Sequence, residues 1–158
     1  MSVTPATLAL QRAGVAFTPH EYGPVEETEG TYGETIAAVL GVDPHRVFKT
    51  LVAVADGRPA VAVVPVSGHL STKALARARG AKRVELATPA EAERLTGYVV
   101  GGISPFGQKR CLPVVVDQSL LSHPTVFVSG GRRGLQVEVA PGDLIRALGA
   151  VTADLLAG

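Results

Sequence analysis

The chain has 158 residues, enough for one domain that buries roughly two thirds of its unfolded surface without help from disulfides or metals. Apolar residues make up 46% and charged residues 18%, below the roughly 25% charged of typical soluble proteins, which excludes a disordered or solvating chain. Fifteen basic side chains against fourteen acidic ones leave a net charge of +1, so a bulk-basic nucleic-acid binder is not supported and only a local basic face remains possible.

Cys111 is the one cysteine and cannot make an internal disulfide or a Cys-rich zinc site, so a reducing, cytoplasmic setting is expected. The opening MSVTPATLALQRAG has no basic stretch ahead of an apolar one, and no run approaches the ~18 apolar residues of a membrane span. Neither export nor membrane embedding is expected. No repeat, low-complexity tract or linker divides the chain, which reads as a single domain over residues 1–158.

Thr4 followed by Pro5 reads as an N-cap and first helical position, and Gly14 as a stop, predicting a helix from Pro5 to Ala13. A strand from Val15 to Tyr22 follows. The loop from Gly23 to Gly30 carries Glu26, Glu27 and Glu29 into solvent, and Thr31 with Glu34 forms a capping box for a helix closing at Gly41. Next come VFKTLVAVA and PAVAVVPV, two β-branched apolar runs joined at Asp56-Gly57, which predict a hairpin. Ser71 caps a helix to about Arg79, Val84 to Leu86 is a short strand, and Thr88, Pro89 and Glu91 open a helix ending at Gly97. The runs YVVGG, LPVVVD, TVFVS and LQVEV read as strands, and Asp143 to Leu148 as a late helix before an Ala/Leu-rich tail. Strands and long helices do not alternate regularly. The expected class is therefore α+β, with a mixed, barrel-like sheet and peripheral helices, over a doubly wound nucleotide fold.

Common catalytic signatures are missing: there is no GxxxxGK[ST], no GxGxxG opening a helix and no HExxH, and Ser104 in GGISPF lacks the second glycine of a nucleophile elbow. His20, His45, His69 and His123 stand singly, so no metal site is expected. Cys111 has no histidine partner nominated by any pattern and reads as a packed free thiol.

Three features remain. Lys49 is the only charge in VFKTLVAVA, and a period of two places it with Val47, Leu51 and Ala53. A lysine there is either a gatekeeper on an exposed edge or an ammonium aimed into a pocket. GGISPFGQK, from Gly101 to Lys109, is either a tight turn or a loop whose backbone N–H groups approach a ligand oxygen. SGGRRG, from Ser129 to Gly134, is a hairpin loop whose Arg132 and Arg133 either grip phosphate or face solvent. Arg77, Arg79, Lys82 and Arg83 crowd a helix end where cations favour the macrodipole, and would meet RNA only on a face shared with Lys49.

Taken together, these features resemble the YbaK family of bacterial Cys-tRNA(Pro) deacylases, relatives of the editing domain inserted in prolyl-tRNA synthetases. The resemblance runs over nearly the whole chain and is strongest in VFKTL, in GAKRVELATPAEAERLTGYVVGGISPFGQKRCLPVVVD from Gly80 to Asp117, and in VFVSGGRRGL from Val126 to Leu135. It implies a free-standing trans-editing enzyme that removes cysteine mischarged onto proline tRNA, with a pocket for the aminoacylated 3′ end. It also implies no metal or organic cofactor. No DNA or membrane partner is expected, and because a net charge of +1 supplies little tRNA affinity, a complex with prolyl-tRNA synthetase is expected to supply selectivity. By the resemblance, Lys49, Gly101 and Gly102 are catalytic, and Tyr22, Thr50, Ser104, Ser129, Gly130 and Arg132 bind substrate. In the implied mechanism the substrate cysteine's own thiol attacks its ester, so the protein need supply only position and electrostatics.

The sequence departs from the family pattern in three places. Gln136 stands where an acidic pocket residue is expected; Ser71 and Ala74 replace an acid and a lysine, leaving Lys73 on that helix; Cys111 replaces a basic residue. Two rival readings follow: the same fold hydrolysing alanine or serine esters of tRNA with a bound water, or a non-catalytic tRNA- or synthetase-binding module.

Overall fold

Local capping chemistry sets where the helices begin. In the computed structural model, which describes residues 3–23 and 32–158, Thr4 and Thr7 cap α1 (Pro5–Arg12) reciprocally, each side chain accepting from the other's backbone N–H. Helix α2 (Tyr32–Leu40) ends before Gly41, whose φ is +69°. Ser71 caps α3 (Thr72–Arg79) as expected, and Thr88 with Glu91 forms the capping box of α4 (Pro89–Thr96). Helix α5 (Pro141–Leu148) starts two residues before its expected position, with Pro141 in its first turn. Thr31 and the glutamates at 26, 27 and 29 lie outside the described residues.

The expected hairpin is present as β2 (Phe48–Ala55) and β3 (Arg58–Pro65), antiparallel from Phe48 opposite Pro65 to Ala55 opposite Arg58. Asp56 and Gly57 both have positive φ, +49° and +79°, as a type I′ turn requires. Around it lie β4 (Val84–Leu86), β5 (Val114–Asp117) and β8 (Val151–Ala153), giving a mixed five-stranded sheet in the order β4-β2-β3-β5-β8. A second, antiparallel sheet has the order β1-β7-β6, from β1 (Phe17–Glu21), β6 (Val126–Ser129) and β7 (Leu135–Val139). The class is α+β with a mixed sheet and peripheral helices, as expected. The barrel-like character is realised as two sheets joined by a single bridge, Val47 to Phe127, rather than as a closed ring among the described residues.

The main core lies between the sheets, where Phe48, Val52, Val61 and Val63 meet Val126, Val128 and Val137, closed by Leu10, Leu95 and Leu144 from the helices. A second core on the outer face of the larger sheet packs Ala62, Val64 and Val115 against Leu75 of α3. Among the described residues no helix is long and apolar enough to cross a membrane.

Two sequence expectations are corrected here. YVVGG is not a strand: Val99 is 66% exposed, and its neighbours' N–H groups are taken by side chains, Tyr98 N–H by Thr96 Oγ1 and Val100 N–H by Glu93 Oε2. With those donors committed, no ladder can form. Conversely the tail holds β8, whose pairing with β5 is parallel and so depends on a partner more than thirty residues away.

Candidate active site

One cavity of about 390 Å³ opens between the two sheets, roofed by α2 and the start of α4. Its walls are mostly apolar, from Ile36, Val47, Phe48, Val52, Ala92 and Ile103. The polar groups facing it are few: Lys49, Thr50, Ser129, Gln136 and the backbone at Gly101. Thr50 Oγ1 and Gln136 Oε1 are buried and find no hydrogen-bond partner among the described residues. Unpaired buried polar atoms are costly, so two of them facing one cavity mark positions a bound polar ligand would satisfy.

Lys49 enters from β2 opposite Val64 of β3. The ladder to β4 covers only Ala53 to Ala55, so at Lys49 the strand is paired on one side, yet the side chain lines the cavity instead of guarding an open edge. Burial lowers its pKa, because leaving water penalises the charged form, and the negative charge of Glu34 on α2 works in the opposite direction. No ion pair or hydrogen bond holds the ammonium among the described residues. It therefore stands as a half-desolvated cation beside unpaired acceptors, where electrostatic attraction to a ligand anion is strengthened by the dry walls.

The loop after α4 supplies the facing wall. Val99 to Gly102 forms a turn closed by Gly102 N–H donating to Val99 O at 2.8 Å, with Gly101 at φ +93°, the sign a type II turn requires at its third residue. Gly102 N–H is thereby committed to the turn, whereas Gly101 N–H has no partner among the described residues and Gly101 lines the cavity. Tyr98, buried in the core, donates its hydroxyl to Phe106 O and so ties both ends of the loop. Burial raises its phenol pKa far above the ordinary value, so it remains a donor at every working pH.

The structure gathers Lys49, Thr50, Gly101 and Ser129 at the cavity, and places the remaining sequence-nominated residues outside its lining. Tyr22 approaches through its hydroxyl, 3.5 Å from Gln136 Nε2, and its N–H donates to Gly134 O. Ser104 is fully buried, its Oγ accepting from Phe106 N–H and its carbonyl from Gln108, so it shapes the loop from within. Gly130 is engaged on both sides, with Leu135 O and Thr4 Oγ1. Gly102 packs against the backbone of Arg132, where a Cβ would fall 2.8 Å from the Arg132 Cα. Arg132 pairs with Glu21 at 3.4 Å and donates to Arg133 O. Arg77, Arg79, Lys82 and Arg83 do not line the cavity; the Lys82 and Arg83 N–H groups are held by the Asp56 carboxylate. Cys111 is a free thiol but not the packed one expected: it is exposed, and it lies away from the cavity.

Gln136 belongs to the site although sequence reading named it only as a departure. The signal was present: in LQVEV the alternation sets Gln136 and Glu138 on one face, and a lone buried polar residue in a strand needs a reason. Glu93, Tyr98 and Arg133, which hold the glycine loop, left no such local sign. Among the described residues no three His, Cys, Asp or Glu side chains cluster in a way that could hold a metal ion.

Comparison with known proteins gives a consistent answer. A family model described as "Aminoacyl-tRNA editing domain" matches residues 26–147. A protein of Enterococcus faecalis named "Putative Cys-tRNA(Pro)/Cys-tRNA(Cys) deacylase EbsC" is 41% identical over 109 residues, covering 68% of this chain and 66% of that protein. A proline--tRNA ligase of Geobacter metallireducens is 33% identical over 113 residues, 72% of this chain but 19% of the ligase. The match thus spans just under two thirds of the first relative and less than a fifth of the second. A solved structure described as "a putative trans-editing enzyme for prolyl tRNA synthetase" superposes with a TM-score of 0.82 at 26% identity, covering 99% of this chain and 100% of that one.

Proposed function

The chain belongs to the aminoacyl-tRNA editing domain family, and on that premise we propose that this editing deacylase removes cysteine from mischarged Cys-tRNA(Pro), with the substrate's own thiol as nucleophile. The observation that supports this most directly is the composition of the cavity. Among the described residues its lining holds one ammonium, two hydroxyls, the Gln136 carboxamide and the unpaired Gly101 N–H between apolar walls, and no thiol, imidazole or carboxylate. Neither hydroxyl has a histidine or carboxylate beside it in that lining to activate it, and the ammonium acts as a nucleophile or base only once it has lost its proton.

The step balances without a cofactor. The cysteine sulfur attacks its own ester carbonyl, the C–S bond forms as the carbonyl oxygen becomes an oxyanion, and collapse breaks the bond to the tRNA ribose oxygen, which takes up the thiol proton. A thiolactone and free tRNA result. Gly101 N–H donates to the developing oxyanion, and the Lys49 ammonium adds positive charge beside it or beside the terminal phosphate. In this reading Thr50 Oγ1 and Gln136 Oε1, both unpaired among the described residues, accept hydrogen bonds from the substrate's α-ammonium. With a net charge of +1 the chain gains little non-specific tRNA affinity, so selectivity for proline tRNA is assigned to a complex with the synthetase.

A deacylation assay on charged proline tRNA tests this reading. Cys-tRNA(Pro) should be cleared, Cys111→Ser should act at close to the wild-type rate, and alkylation of the substrate thiol should stop the reaction. Ser-tRNA(Pro) should be slow and Ala-tRNA(Pro) nearly inert. Turnover of the alanine ester at the rate of the cysteine ester would overturn the thiol mechanism in favour of a bound water, and a folded but inactive Cys111→Ser would mark an enzyme thiol.

A further inference from the structure

The paired arginines of the β6–β7 loop do different things. Arg132 turns toward Glu21. Arg133, although exposed, commits two donors to one backbone acceptor: Nε and Nη2 both reach Val100 O, at 3.1 and 2.8 Å. No carboxylate among the described residues competes for it. The Val100 N–H is held as firmly from the opposite side by Glu93 Oε2 at 2.8 Å. Both backbone groups of one residue are thus pinned by opposite charges from two separate elements.

We propose that Arg133 is a positioning residue that orients the Val100–Gly101 peptide and thereby presents the Gly101 N–H to the ester's developing oxyanion. This rests on reading the cavity as a deacylase site. All the peptide bonds described are trans, and in a trans peptide the C=O and the following N–H point in opposite directions. A guanidinium that fixes Val100 O toward Arg133 therefore fixes Gly101 N–H away from Arg133, at a residue that lines the cavity. Within the turn it is the N–H without a partner among the described residues, since Val100 N–H is held by Glu93 and Gly102 N–H is spent on Val99 O. Glycine at 101 serves the same arrangement: a Cβ there would lie 2.5 Å from Arg133 Nε and dislodge the clamp. The central peptide of a type II turn can rotate to the type I orientation. Arg133 holds it in the one in which the free N–H serves the site.

The test compares Arg133→Met, which keeps length and removes the donors, with Arg133→Lys, which restores one. In steady-state deacylation, Arg133→Met should lower kcat on the order of 10²-fold, the scale of losing one preorganised donor, with KM nearly unchanged, and Arg133→Lys should recover part of the loss. Unchanged kcat, or a raised KM with kcat intact and a shallower salt dependence, would overturn the proposal, the second by making Arg133 a tRNA contact. Crystal structures of the variants give a readout that does not depend on activity. A rotated Val100–Gly101 peptide is expected in Arg133→Met, and a Val100 carbonyl in its original direction would overturn the proposal whatever the rate. If Arg133→Met fails to fold, Arg133→Lys carries both comparisons. A wild-type protein that clears no charged tRNA would remove the deacylase reading, and the peptide orientation would still decide the role of Arg133 in the loop.

Discussion

Lys49 reaches the cavity from a strand whose every residue pairs with β3, whereas Gly101 reaches it from a loop held by three side chains, Glu93, Tyr98 and Arg133. In the first wall the position of the charge is set redundantly by a ladder of backbone hydrogen bonds, so removing the side chain leaves the wall in place. In the second, the proposed oxyanion donor is part of the backbone itself. Short of a proline, substitution moves it without removing it, and the groups that hold it come from α4, from the loop itself and from the distant β6–β7 loop.

The largest expected effect is at the first wall. Lys49→Met should lower kcat for deacylation on the order of 10²-fold or more, with the fold intact by circular dichroism; unchanged turnover would return Lys49 to an edge role. Its stability should move the other way. Because burial lowers the folded pKa of Lys49, the unfolded chain holds its proton more tightly, and the penalty is fully present below the folded pKa. It fades as pH rises from there toward the ordinary lysine value. Lys49→Met should therefore melt at or above the wild-type temperature at neutral pH, and the difference should shrink as pH is raised; a constant difference would show that desolvation is not its source.

At the second wall Gly102→Ala should do less to chemistry and more to the fold. A Cβ there meets the Arg132 Cα and carbonyl carbon at 2.8 Å and the Arg133 N at 2.9 Å, all backbone atoms that cannot rotate aside. Prying the two loops apart should cost about 3 kcal/mol, the upper end of overpacking effects, and lower kcat more than it raises KM. A variant with wild-type stability and rate would show that the loops need not touch.

The smallest effect is expected from Tyr98→Phe, which keeps the buried ring and deletes one hydrogen bond, to Phe106 O. About 1 kcal/mol of stability should go, read by urea denaturation, with a modest fall in kcat. A loss in kcat as large as that of Lys49→Met would mean that the tie across the loop, and not the Arg133 clamp, orients Gly101.

What the chain makes legible by itself is whatever closes within a few residues. Asp56-Gly57 specifies the hairpin because only a few residue types tolerate positive φ at both turn positions, and Ser71, Thr88 and Glu91 specify helix starts because their side chains reach N–H groups three residues away. Lys49 was visible as a lone charge among valines, though whether it faced an edge or a pocket was not. Only the tertiary structure decided that the YVVGG loop is held at Val100 O by Arg133, thirty-three residues later, and that residues 151–153 are a strand, because their partner β5 lies more than thirty residues earlier. It also decided that Arg133 holds a backbone carbonyl and Arg132 a glutamate. Adjacent arginines in a glycine-rich loop have the same local chemistry. Which acceptor each meets depends on loops brought together by the packing of two sheets, and no pattern within SGGRRG carries that information.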